Sequence, residues 1–324
     1  MNKNSSIIIG ALAGIAGGLM VLAAFNAGLL AFVLLFAAPA AVYLASMGWG
    51  TVAGIVAAIV ATVMSGVFGA PSFAVLTGLL LFAPAAWVGH LTNLAQPAEN
   101  GTGLVWYPLS AILLRLMTAL TASFLIVGYS AGYSTEMFVG SFVDMMKQMA
   151  ASNPDLPALD EDLLMARAAS YARLIPIIVP CIWLLLHVIT AFVAANVTRR
   201  SGLLAREEED IAATVNLPIE AAGFMAAGLI GSMFLSGTAA AAGSVFLGIA
   251  LGGYALIGLA QLHYRTRPMA SRGFILGIAY GMIVLFTVPL FVFTVMGLIR
   301  SFSQNRSGPN NPDASGNGPS NPNR

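Results

Sequence analysis

The sequence predicts an all-α membrane protein: a polytopic transmembrane helical bundle of about nine spans whose helices pack through glycine. Only 8% of the 324 residues are charged, against roughly 25% in soluble domains, while 58% are hydrophobic. Several uncharged apolar runs exceed the roughly 18 residues that mark a membrane span. The chain also holds 34 glycines, some repeating every four residues inside those runs. So little charge cannot coat a water-facing surface, and lipid offers no partner to an open strand edge, so the spans must be helices.

In chain order the apolar segments fall at 7–25, 28–47, 51–69, 72–94, 105–128, 174–198, 222–241, 244–263 and 273–299. Each is long enough, at about 1.5 Å per residue, to cross a hydrocarbon core of about 30 Å. Lys3 before the first run is compatible with a signal peptide, but no polar domain follows, so 7–25 reads better as a signal-anchor helix. The chain thus divides into a six-span bundle (1–198), a cytoplasmic loop (199–221), a three-span segment (222–302) and a tail (303–324). The tail is Asn, Pro, Ser and Gly with almost nothing apolar to bury, the composition of a disordered segment.

Basic residues set the orientation. Arg199, Arg200 and Arg206 follow the sixth segment, and Arg265, Arg267 and Arg272 lie between the eighth and ninth. Both loops, and the N-terminus with Lys3, should therefore face the cytoplasm. The loop 129–173 then faces outward, where Glu136, Asp144, Asp155, Asp160, Glu161 and Asp162 outnumber Lys147, Arg167 and Arg173. Nine spans leave the C-terminus outside despite Arg300, Arg306 and Arg324, and a miscount of one span within 222–299 would bring it inside.

In the outer loop, Phe138, Phe142, Met145 and Met149 line one helical face, suited either to the membrane surface or to packing as a lid. A turn at Asn153, Pro154 and Pro157 precedes a second helix, 160–172, running into the sixth span. The block Arg206-Glu207-Glu208-Glu209-Asp210 reads as the solvated first turn of a short amphipathic helix, its acids complementing the helix dipole, or as a docking site.

Gly10, Gly14 and Gly18 share a face of the first span, as do Gly248 and Gly252 in the eighth and Gly273, Gly277 and Gly281 in the ninth. Such faces admit close backbone approach, either within the bundle or, on the first span, from a separate protein. Pro39, Pro84, Pro180 and Pro289 should kink their helices.

Arg115 stands nine residues after Trp106, which with Tyr107 marks the interface of the fifth span. That depth, about 13 Å, costs an arginine about 2.5–3.5 kcal/mol on the insertion scale. With no Asp or Glu inside any span, it bonds to Ser110, Thr118 or carbonyls, snorkels, or meets an anionic ligand. His187, one turn after Trp183, sits at similar depth in the sixth span, so Arg115, Trp183 and His187 are the candidate lining of a binding cavity.

Enzymatic motifs are sparse. Gly128-Tyr129-Ser130-Ala131-Gly132 satisfies G-x-S-x-G, but that motif needs a strand-to-helix turn and a nearby base, and here it ends a membrane helix. Three histidines and the single Cys181 cannot build a usual zinc site or a disulfide framework. No nucleotide-binding loop is present, and a net charge of +1 gives no face for nucleic acid. The reading is therefore not an enzyme, with no cofactor.

The order of spans, the run Tyr254-Ala255-Leu256-Ile257-Gly258-Leu259-Ala260-Gln261-Leu262-His263 and the sequence Asn216-Leu217-Pro218 resemble the YybS-like family of bacterial multi-span membrane proteins, whose domain is of unknown function. That family is distantly similar to the S components of energy-coupling-factor transporters. The resemblance covers about residues 7–299. It implies a bacterial inner-membrane protein that binds a small molecule and docks a membrane coupling subunit through its first helix, here Gly10, Gly14 and Gly18. Departures are glycines in place of alanines on that helix and about nine spans in place of six. The expected function is a small-molecule binding or transport component without its own ATPase, embedded in the lipid bilayer. The alternative is a scaffold or regulator of envelope or cell-division processes that engages another membrane protein.

Overall fold

A computed structural model describes residues 3–24, 27–28, 30–98, 103–153, 160–285 and 288–306. The remaining residues, which include Pro154 and Pro157 of the expected turn and nearly all of the expected tail, lie outside the described residues. Among those described, seven helices are long and apolar enough to cross a membrane, and Ala221–Phe234 and Arg272–Ile283 are apolar but shorter.

The first four passes are α1 (Lys3–Ala24), α2 (Leu30–Trp49), α3 (Thr51–Phe68) and a broken helix of α4 (Pro71–Thr77), a π turn (Gly78–Phe82) and α5 (Ala83–Thr92). Between α2 and α3 a single residue reverses the chain; it is Gly50, at φ +89°, which an L side chain rarely adopts. A short antiparallel hairpin of β1 (Ala95–Pro97) and β2 (Leu104–Trp106) leads to α6 (Leu109–Ser130). There follow α7 (Thr135–Ser152), α8 (Glu161–Arg200), α9 (Ile211–Thr214), α10 (Ala221–Phe234), α11 (Gly237–Arg265), α12 (Arg272–Leu285) and α13 (Val288–Arg306).

Small residues decide who meets whom. A Cβ on Gly10 would lie 2.5 Å from the Ala53 carbonyl oxygen, one on Gly14 2.6 Å from that of Ala57, and one on Gly18 2.9 Å from Met64 Cβ. The register advances together on both helices, so α1 and α3 run parallel. Gly248 lies against Ile177 and Gly252 against Cys181, which sets α11 parallel to α8. Gly231 faces Gly243 and Gly228 faces Leu247, making α10 and α11 an antiparallel pair. One buried cluster, including Tyr43, Phe82, Met117, Leu184, Ile249 and Tyr254, runs from α2 through α11, across the expected division at 198–222.

Two expected spans take another form. The segment 222–241 stops as a helix at Phe234, since Ser236 is extended and Gly237 sits at φ +58°. Its fourteen residues measure about 21 Å. The segment 273–299 is two helices, with Pro289 in the first turn of α13, where its missing N–H costs nothing. In α13, Thr294 donates to the Leu251 carbonyl at 3.0 Å and Gly297 lies against Tyr254, so α13 runs parallel to α11 and the chain has doubled back.

The C-terminal end of α13 therefore returns to the end of the bundle holding the arginine-rich loops. There Arg300 donates to the Ala212 and Ala213 carbonyls (3.1 and 2.9 Å) and Asn305 to that of Leu217 (3.2 Å). The block 206–210 is not wholly solvated: Arg206 is buried, donating to Glu209 and to the Tyr107 carbonyl, each at 2.9 Å. Asp210 caps the one-turn α9 and pairs with Arg267, which holds its carboxyl down to about 2.

At the opposite end α8 continues well beyond membrane thickness and packs on α7. Val143, Leu164 and Ala168 form the contact, and Lys147 pairs with Glu161 at 2.8 Å. The packed face of α7 is Val139, Phe142, Val143 and Met146, while Met145 and Met149 of the expected stripe are exposed.

Candidate functional site

Two prolines each free a backbone carbonyl that another side chain then bonds. In an α-helix the carbonyl of residue i accepts from the N–H of residue i+4, and proline has none. Pro84 thus leaves the Leu80 carbonyl without its α-helical donor, inside the π turn. That oxygen accepts from Trp183 Nε1 at 2.7 Å and from His187 Nε2 at 2.8 Å. Because Nε2 donates there, Nδ1 is an acceptor, and the Tyr43 hydroxyl donates to it at 3.0 Å. Pro176 likewise frees the Ala172 carbonyl, which accepts from the Tyr133 hydroxyl at 2.9 Å. Side chains from α8 and from the turn between α6 and α7 thus supply the donors that proline removed.

Of the residues singled out from the sequence, Trp183 and His187 come together at Leu80. His187 is buried, both ring nitrogens are engaged, and the crevice beside it, lined by Phe36, Pro39, Leu81 and Thr190, has no room for a water. Arg115 does not join them. It is exposed on α6, as is Thr118, whose hydroxyl bonds the Leu114 carbonyl of its own helix, while α6 buries the face of Ile112, Leu116 and Leu120. Arg115 lies about 9 Å into the helix, within reach of the interface for a snorkelling side chain. Gly10, Gly14 and Gly18 are not free for a partner either: α3 covers their face within the chain, with the Ala53 and Ala57 carbonyls in the space a Cβ would need.

The room for a ligand is elsewhere. A groove of about 650 Å³ opens between the C-terminal end of α6, the middle of α8 and the N-terminal part of α11. Its walls include Phe124, Val127, Pro176, Pro180, Ala242 and Val245. Small residues make the space: Gly128, Ala131 and Gly132 on one side, Ala241 and Ala242 on the other. Leu80 also lines it, and Phe124 meets Trp183 edge to face with ring centroids 6.2 Å apart, so the Leu80 node backs the groove. Tyr129, Tyr133 and Ser134 stand at its mouth.

The G-x-S-x-G stretch falls on this wall. Ser130 donates to the Val127 carbonyl at 3.0 Å, and His187 is engaged at the Leu80 node, so the two are not assembled as nucleophile and base. Sequence reading missed the groove, although its signals are in the chain: a proline four residues beyond each freed carbonyl, and clusters of Gly and Ala at two helix ends.

The family model described as "Predicted membrane protein (DUF2232)" matches residues 14–299. No curated protein and no solved structure matches the chain.

Proposed function

The chain belongs to the DUF2232 family of predicted membrane proteins, and from that premise we propose that it is a binding component for a small membrane-soluble molecule, without an ATPase of its own. The observation carrying this reading is the groove between α6, α8 and α11. Its volume of about 650 Å³ falls in the range of ligand pockets, roughly 300–1,000 Å³, and its walls are apolar with polar groups gathered at the mouth. In this reading Trp183 supports the groove from behind, His187 locks the helices, and Arg115 has no part in binding.

The excess of basic residues supports a cytoplasmic position for the arginine-rich end; with α10 and α12 taken as short passes, the first turn of α1 and the last turn of α13 would share that side. The likeness to S components is carried over as the idea of a binding subunit alone. A coupling partner would need a surface other than the first helix's glycine face, which α3 occupies.

Native mass spectrometry on gently extracted full-length protein tests the proposal. Wild type should retain a small molecule that Ala242→Trp, which fills the groove, loses while keeping its helical spectrum; Arg115→Ala should retain it. An empty wild type that repeatedly carries another membrane protein would overturn binding in favour of a scaffold.

A further inference from the structure

The depth of the groove and the charge above it identify its ligand further, on the premise that the groove is a binding site. Residues 174–198 of α8 carry no charge and measure about 37 Å at 1.5 Å per residue. That covers a hydrocarbon core of about 30 Å and reaches into the headgroups. Arg199 and Arg173 therefore mark the two headgroup layers. The groove residues of α8, Ile175, Pro176, Val179 and Pro180, begin directly beneath Arg173, on the hydrocarbon side of that boundary.

The polar groups at the mouth are unequal. The Tyr133 hydroxyl is committed to the Ala172 carbonyl and the Ser134 hydroxyl caps α7 by accepting from Met137 N at 3.1 Å. Tyr129, by contrast, is 91% exposed at the level where tyrosines favour the interface. Arg173 is exposed and makes no hydrogen bond or ion pair to another described residue. A ligand filling this space would put hydrocarbon against Phe124, Val127, Pro180 and Val245 and its polar end by Tyr129, at the level of Arg173, which stands outside the groove wall two residues before Ile175. Arginine matches phosphate oxygens by its planar fork of donors.

We propose that the groove holds a hydrocarbon chain of an anionic, phosphate-bearing lipid drawn from the leaflet at the α7–α8 end, with Arg173 and Tyr129 receiving its headgroup.

The test uses full-length protein in nanodiscs holding equal phosphatidylglycerol and phosphatidylcholine with identical chains, and counts the lipids retained on release into the mass spectrometer. Wild type should favour phosphatidylglycerol about fivefold, the worth of one basic residue at an anionic surface. Arg173→Gln should bring the ratio close to one, Arg173→Lys should restore most of it, and Arg167→Gln, on the part of α8 packed with α7, should leave it as in wild type. Ala242→Trp should lose both lipids. Equal retention by wild type, or a preference that survives Arg173→Gln, would overturn the headgroup assignment while leaving lipid in the groove. A wild type that retains neither lipid would overturn the groove reading with it.

Discussion

At the scale of single residues, Trp183 and His187 supply the donors that Pro84 takes from the Leu80 carbonyl. His187 satisfies two partners at once, the Leu80 carbonyl and the Tyr43 hydroxyl, whereas Trp183 shares Leu80 with it. This asymmetry is testable. His187→Phe strips Tyr43 of its partner in a site with no room for water, and leaving a buried group unpaired costs about 1–3 kcal/mol. Trp183→Phe leaves Leu80 bonded to His187 and keeps a ring against Phe124, so it should cost near the roughly 0.6 kcal/mol average of hydrogen bonds within membranes. Unfolding midpoints in detergent should rank wild type, Trp183→Phe, then His187→Phe; an unchanged His187→Phe would mean the node holds nothing together. The sequence marked His187 and Trp183 as unusual because a polar side chain at mid-membrane needs a reason. It could not say that the reason was Pro84, since that link spans two helices about a hundred residues apart.

At the scale of helices, glycine has two different uses, and the spacing alone does not separate them. The Gly10, Gly14 and Gly18 face is filled by α3, while Cβ atoms on Gly273, Gly277 and Gly281 of α12 would meet nothing within 4 Å. Gly14→Leu should therefore overpack the α1–α3 seam, costing about 1–3 kcal/mol or preventing assembly, and Gly277→Leu should leave the thermal midpoint near wild type. Equal effects in the two variants would show that α1 and α3 can separate at little cost. The same contrast explains what was legible. Helices α1 to α3 and α6 fall close to their expected spans, and α8 contains the sixth, because charges or turn residues bound those runs. Between 222 and 263, and again between 273 and 299, no charged residue interrupts the run. Hydropathy there measures only total apolar length, so it does not mark the break at Ser236-Gly237 or the division of 273–299 into α12 and α13.

For the whole molecule, these breaks decide where α13 ends. A count of nine passes sets the C-terminal arginines apart from the other arginine-rich loops, whereas α13 returns alongside α11. It gathers Arg300 with Arg206 and Arg267 around the loop 199–221, while Glu136, Asp160, Glu161 and Asp162 stay at the α7–α8 end. Charge asymmetry and helix packing, which are independent, both set these arginines at one end of the bundle. The lone Cys181 is buried, so single cysteines can be introduced and read against a silent background. Glu207, Gln304 and Glu136 are all exposed. In intact cells a membrane-impermeant maleimide should label Glu136→Cys at once. Glu207→Cys and Gln304→Cys should both stay unlabelled until the membrane is permeabilised, because Asn305, beside Gln304, is bonded to Leu217 in the same loop as Glu207. If Gln304→Cys labelled together with Glu136→Cys, α13 could not lie beside α11 in the same direction, and the even number of passes would fall with it.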